Sequence, residues 1–484
     1  MTEVKPATAQ RPAGLKVTTR DVLAGLEPRR VVELEVEYGN TDLIRALDIL
    51  GIAGPFTTVS PWELRDEKGR HLINAGGYAA LPFGESYPPL IEFLSRFLEA
   101  NRAMALPQST AADWRAALEA SLVDLLAGYA PSHDSSKVFF ANSGAEAIEA
   151  AIKFARAARP RATHLINFTR GYHGKTFGAL SVTANEDYQA PFRPLLSDIV
   201  TVPFGDAAAL ADAIERLKPD RVTAIVLEPL LGEGGVVTPP EDFLPAVEAL
   251  RQKYGILVIA DEIQSGLGRS GHYFASVAGG LDPDIVTLAK PLGGGLVPIG
   301  ATIARDWIVK RALGGLHGKR HSTTFGGGSL AMAVGLKSLE IILEEGLADR
   351  ARAMGAKGLS RLRQIQELHP SVIEDVRAAG ALFAVTLHPA VRPALLPGQE
   401  ELVHTLSTAL AMRAFHLSGV HVCFTQNRSQ TVRLTPALTM PDDLLSELFD
   451  RVEHTASRQG SAWRTLPQTP PGVLLRLAKL ALGG

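Results

Sequence analysis

The chain has 484 residues, 46% of them apolar and 21% charged, with a formal net charge of -2. That balance fits a soluble globular protein long enough for more than one domain, and it lacks the basic excess that nucleic acid or anionic lipid attracts. A single cysteine, Cys423, excludes an internal disulfide framework and a cysteine-based zinc site, and reads as a small buried apolar residue.

Residues 1–20 are polar and lack the apolar core of a secretory signal. They read as a disordered tail. No stretch reaches transmembrane length, so the cytoplasm is the default compartment. Residues 21–52 predict helix, with Leu43, Leu47 and Leu50 at helical spacing. A hairpin over 57–75 turns at Asp66-Glu67-Lys68-Gly69-Arg70. Helical patterns follow at 89–99 and 114–128.

From Lys137 onward short apolar runs alternate with helical segments, at 138–141, 164–168, 199–203, 224–228, 257–261, 285–290 and 301–304. Such runs belong to a mostly parallel sheet buried on both faces, in an α/β domain. A helix over 329–345 then leads into a smaller α+β region with strands near 381–387, 421–425 and 431–435. The expected division is a tail (1–20), a segment joining the small domain (21–88), a large domain (89–328), the small domain (329–460) and an extension (461–484). The basic amphipathic stretch 471–482 is expected to pack on the body or on a partner subunit rather than on a membrane.

Chemistry concentrates where the apolar runs end, which is where ligands bind in a parallel sheet. Lys290 closes one run and opens the glycine-rich Pro291-Leu292-Gly293-Gly294-Gly295. A partly desolvated amine there can form a Schiff base with a carbonyl cofactor. Asp261 closes another run. Alone it could merely cap the next segment, but with Lys290 it makes the pair a pyridoxal phosphate site needs, one group for the aldehyde and one for the pyridine nitrogen. Asn142-Ser143-Gly144-Ala145 joins a strand to a helix, and a helix start of this kind cradles phosphate, with Ser143 adding a hydroxyl. Tyr172 could stack on a flat cofactor, while His173 beside it reads as a turn residue. Ile263 would pack under the ring and Gln264 would meet its hydroxyl oxygen. Thr323 and Thr324 precede a second glycine run and suit further phosphate contacts. Glu228 and Glu233 end another strand, to orient substrate, pair with an arginine or lie in a solvated loop. Arg433 is a lone charge in an apolar strand, fit either to bind a substrate carboxylate or to form a buried ion pair.

Taken together, 142–147, 228–235, 261–264, 289–295 and 323–327 resemble the class III aminotransferases of pyridoxal phosphate fold type I, over about 56–452. Gly174-Lys175-Thr176-Phe177-Gly178-Ala179-Leu180-Ser181, 191–196 and 298–303 are similar to the ornithine and putrescine branch. The resemblance implies a seven-stranded, mostly parallel sheet in the large domain. It implies that Lys290 is the catalytic amine and Asp261 binds the pyridinium. It further implies that Ser143, Gly144 and Ala145 hold the phosphate, with Thr324 reaching it from the neighbouring subunit of a homodimer. Tyr172 would stack on the ring. Arg433 would take an α-carboxylate, and Glu233 would pair with that arginine when an ω-amine is bound. The expected reaction moves an amino group from ornithine, a diamine or an ω-amino acid to 2-oxoglutarate. A racemase or epimerase on the same scaffold, or a non-catalytic relative, remains open at this point. Departures fall on the substrate side: Leu231 replaces a usual glutamine, 76–85 differs from the usual Gly-His stretch, and Arg377-Ala378-Ala379-Gly380 reads as an altered loop.

Overall fold

The computed structural model describes residues 16–100, 110–388, 400–428, 430–459 and 470–481. Seven strands form the central sheet, in spatial order Lys137–Ala141, Gly300–Ala304, Ile285–Leu288, Leu257–Asp261, Val222–Leu227, His164–Phe168 and Ile199–Val202. Neighbours are parallel except at Gly300–Ala304, which runs antiparallel to both strands beside it. Every residue of Val222–Leu227, Leu257–Asp261 and Ile285–Leu288 is buried, because helices cover both faces. Alternation along one strand sorts the two sides. Val226 packs with Ile148, Ala151 and Ile152 of the Gly144–Ala158 helix. Ile225 packs with Leu210, Ile214 and Val247 of helices Ala207–Leu217 and Phe243–Tyr254. Each such aliphatic side chain, fully buried, contributes roughly 1.5–3 kcal/mol.

All seven strands lie within a few residues of their expected positions, and the parallel ones point their carboxyl ends toward one edge. The segment 21–52, expected to be helical, is helical in three pieces, Thr19–Ala24, Pro28–Tyr38 and Thr41–Leu50. Gly25 at φ +92° and Gly39 end the first two, and Asn40 caps the third through the Leu43 amide. The expected tail is corrected at its end, since Thr18 and Asp21 close a capping box that starts a helix at Thr19; residues 1–15 lie outside the described residues.

The hairpin over 57–75 is a three-stranded antiparallel meander, Thr57–Ser60, Glu63–Arg65 and His71–Asn74. Val420–His421 joins it in parallel. A second antiparallel sheet follows the order Ile373–Ala379, Leu382–Leu387, Thr431–Leu434, Cys423–Phe424. Arg377, Ala378 and Ala379, expected in a loop, belong to its first strand, which turns at Gly380 (φ +54°). The Pro471–Ala481 helix packs on the body, burying Val473 and Leu477 with Leu50 and Leu410. No helix among the described residues is long and apolar enough to cross a membrane.

Candidate active site

The carboxyl edge of the sheet opens on a cavity of about 550 Å³. Asp261 is the last residue of its strand, and Lys290 follows its own strand by two residues and opens the 3₁₀ turn Lys290–Gly293. Both line the cavity, as do Ser143, Gly144 and Ala145 from the start of the Gly144–Ala158 helix. Tyr172, Ile263, Gln264 and Glu233 complete the expected set on its walls. Thr324 is exposed and is not among the lining residues. Arg433 stands one layer behind the wall, completely buried.

At one end of the cavity the helix start leaves the Gly144 and Ala145 amides without intrahelical acceptors. The Ser143 hydroxyl oxygen accepts the Glu146 amide at 3.2 Å, which leaves its hydrogen free to donate. A Cβ on Gly144 would come within 2.8 Å of the Ile263 side chain, so glycine is what lets the turn close over Ile263.

In the middle, Asp261 takes a 2.7 Å hydrogen bond from His173 Nδ1 and one of 3.1 Å from the Ile263 amide. His173, expected only as a turn residue, is therefore the main partner of Asp261. Burial opposes charge on His173, but the Asp261 hydrogen bond and charge outweigh it and raise its pKa. The Lys290 ammonium has no hydrogen-bonding or ion-pairing partner among the described residues. Burial pulls its pKa below the usual lysine range, with Arg433 adding to this and Glu233 and Asp261 opposing it. A lysine so depressed spends more of its time as a nucleophilic free amine.

At the other end, Arg433 Nη1 donates to Glu233 Oε1 at 2.7 Å and to Gln264 Oε1 at 3.2 Å. Gln264 Nε2 in turn donates to the Tyr78 carbonyl at 3.4 Å. Burial disfavours the Glu233 carboxylate, yet Arg433 and Lys290 overcome that and hold it below its usual range. The Tyr78 ring centroid lies 5.6 Å from the guanidinium carbon. Tyr78 and Ala79 sit at φ +50° and +62°, a strained conformation for residues with side chains. Cys423 is buried and free as expected, with its sulfur 3.9 Å from Arg433 Nη2.

Two further residues belong to the site. Glu228, for which a solvated loop was one expectation, is buried and lines the cavity. It accepts the Tyr172 amide at 2.8 Å and the Gly232 amide at 3.0 Å. Burial pushes it up to about 7. Lys175, not singled out from sequence, adds a second cation to the wall, its Nζ 4.0 Å from the Tyr188 ring centroid. Its place over an aromatic ring at the cavity wall, the signal that marks it, depends on tertiary packing.

A lysine without a partner among the described residues, a buried aspartate, an open helix start and a flat ring around one cavity match the aldehyde, ring nitrogen, phosphate and π-face of pyridoxal phosphate. Solved structures with this fold carry that cofactor. An amine transaminase from an uncultivated Pseudomonas species, in its pyridoxal phosphate-bound form, is 25% identical with a TM-score of 0.74, covering 84% of this chain and 95% of its own. The ornithine aminotransferase of Toxoplasma gondii is 25% identical with a TM-score of 0.77, covering 91% and 98%. A Bacillus anthracis aminotransferase at 23% identity shares the fold, with a TM-score of 0.77 over 91% of this chain and all of its own. The model of the class-III aminotransferase family matches residues 61–456, and the chain belongs to that family of pyridoxal phosphate enzymes.

Proposed function

We propose that this aminotransferase takes its amino group from ornithine, a diamine or an ω-amino acid and delivers it to 2-oxoglutarate. The observation that carries the reading is the completely buried Glu233–Arg433 pair beside the Lys290 amine. A buried guanidinium already neutralised by a carboxylate can serve two kinds of substrate. With the pair closed, the wall offers no free fork and suits an amine. With Glu233 displaced, Arg433 presents two parallel N–H groups to a carboxylate. Lys175, on the same cavity wall, supplies a further cation for a second carboxylate, as 2-oxoglutarate requires.

When bound, pyridoxal phosphate supplies the electron sink for bond breaking at the carbon that bears the amine. The chain's own groups then have separate duties. Lys290 would hold the cofactor aldehyde and would carry a proton to and from the carbon that bears the amine. Asp261, held by His173, keeps the proton on the ring nitrogen. Ser143, Gly144 and Ala145 would hold the phosphate, and Tyr172 and Ile263 would offer their side chains to the ring. Gln264, already bonded to Arg433, ties the ring side of the site to the carboxylate side.

The reading includes a homodimer in which Thr324 completes the neighbouring phosphate site. Thr324 is exposed on a segment that also presents Phe325 at 67% exposure, an apolar side chain suited to a subunit interface. A cytoplasmic enzyme with one buried free thiol fits a reducing compartment.

The test is glutamate formation from 2-oxoglutarate with ornithine, acetylornithine, lysine, 4-aminobutyrate and putrescine in turn. Glutamate with one of these donors is the expected result. No glutamate, together with loss of optical rotation from a single enantiomer, would replace this reading with a racemase.

A further inference from the structure

Arg269 heads the fully buried side chains together with Arg433, yet among the described residues it has no carboxylate within ion-pairing distance. Its two terminal nitrogens donate to backbone carbonyls from three separate segments. Nη1 donates to Pro436 at 2.6 Å and to Ala381 at 3.4 Å, and Nη2 donates to Leu81 at 3.4 Å. Nε has no partner among the described residues. Burial, with the charge of Arg433 adding to it, brings its pKa down to about 9, so it stays charged near neutrality.

The three carbonyls belong to the walls around Arg433. Pro436 lies three residues beyond Arg433 on the chain leaving that strand. Leu81 adjoins Ala80, which lines the cavity, and follows Tyr78, whose ring covers Arg433. Ala381 leads into the strand that pairs with the Arg433 strand, with Ala384 opposite Arg433. Arg269 itself stands five residues beyond Gln264, which accepts a hydrogen bond from Arg433. The turn between them is tight and strained, with Leu267 at φ +52°. Its backbone is clamped from the far side. The Ala381 amide donates to the Arg269 carbonyl at 3.0 Å, and a Cβ on Gly380 would lie 2.6 Å from that carbonyl oxygen.

We propose that Arg269 is a positioning residue for carboxylate recognition: one planar guanidinium gathers three carbonyls and thereby fixes the spacing between the cofactor turn, the Tyr78–Leu81 segment and the Arg433 strand. The proposal rests on the reading of Arg433 as the carboxylate anchor. It also accounts for a charge left without a counter-ion. Arg269, Arg433 and Glu233 by themselves carry one net positive charge while Glu233 pairs with Arg433. Lysine cannot replace this arrangement, because an ammonium lacks the planar fork that reaches carbonyls on opposite sides.

The test uses the pyridoxal phosphate-loaded protein and glutarate, a dicarboxylate without a reacting group, with binding followed through the cofactor absorbance. Arg269→Lys is expected to keep its cofactor content and spectrum while its Kd for glutarate rises about 10-fold, the effect of a misplaced anchor rather than a missing one. A Kd equal to wild type in a variant that has lost only thermal stability would overturn the proposal. Arg433→Ala, measured alongside, separates the two ideas: if it too binds glutarate like wild type, the anchor reading itself fails. Should Arg269→Lys not retain cofactor, Gly380→Ala perturbs the same clamp from the other side. It is expected to show the same loss of glutarate affinity, and an unchanged Kd there would again overturn the proposal.

Discussion

Lys290, Arg433 and Glu228 show three ways in which burial governs a charge. Lys290 lacks a partner among the described residues, and its depressed pKa follows from that burial. Lys290→Ala is expected to leave the fold intact by circular dichroism and to abolish turnover; wild-type turnover would remove it from the chemistry. Arg433 has a partner, so its loss strands Glu233 as well as the substrate carboxylate. Arg433→Ala should raise KM for 2-oxoglutarate at least about 10-fold while KM for a carboxylate-free diamine moves much less. If both stay fixed, the arginine is purely structural. Glu228 is raised to about 7, mainly by burial. Its folded form keeps a proton that the unfolded chain releases near 4.5. Its contribution to stability is therefore complete below pH 4.5 and is lost as pH rises through 7. Urea unfolding of cofactor-free protein should show wild-type stability falling relative to Glu228→Gln, by on the order of 1–3 kcal/mol across that interval. A difference independent of pH would show that Glu228 is ionised throughout.

At the scale of elements, the buried strands were readable because a short, continuous apolar run between helical segments fits little besides an interior strand. The Ile373–Ala379 strand was not. Glu374, Asp375 and Arg377 interrupt its pattern, and only Ile373 and Val376 turn fully inward. The division of 21–52 into three helices was signalled by Gly25, Gly39 and Asn40, but the helical spacing of the leucines masked it. In the site, residues with distinctive chemistry at strand ends stood out, as Lys290 and Asp261 do. His173 and Lys175 did not, because the partners that give them meaning, Asp261 and Tyr188, arrive from other parts of the chain. The Pro471–Ala481 helix is held by Val473 and Leu477 against Leu50 and Leu410, none of which lines the cavity. Leu477→Ala should therefore cost about 2 kcal/mol of unfolding free energy with KM values unchanged. A shift in KM without loss of stability would tie the helix to the site instead.

For the whole molecule, the proposed subunit exchange of Thr324 makes a quantitative prediction. A hybrid of a Lys290→Ala protomer with a Thr324→Arg protomer holds one site with both the native lysine and the native threonine. Mixing the two inactive variants under exchanging conditions should restore about a quarter of wild-type activity, because half of the dimers are hybrids with one working site each. No recovery would confine each site to a single chain. A different consequence comes from Gly300–Ala304, the one antiparallel strand of the seven-stranded sheet. Lys137–Ala141, which leads into the phosphate turn, lies at the sheet edge and is hydrogen-bonded only to Gly300–Ala304, the last strand of the sheet in sequence. Gly300 also stands so close to Ser143 that a Cβ there would lie 2.1 Å from its carbonyl oxygen. During synthesis from the N-terminus, the strand that leads into the cradle therefore has no hydrogen-bonded neighbour in its sheet until the chain has passed Lys290. The strand that carries the anion pocket is therefore locked into the sheet only after the amine has been made.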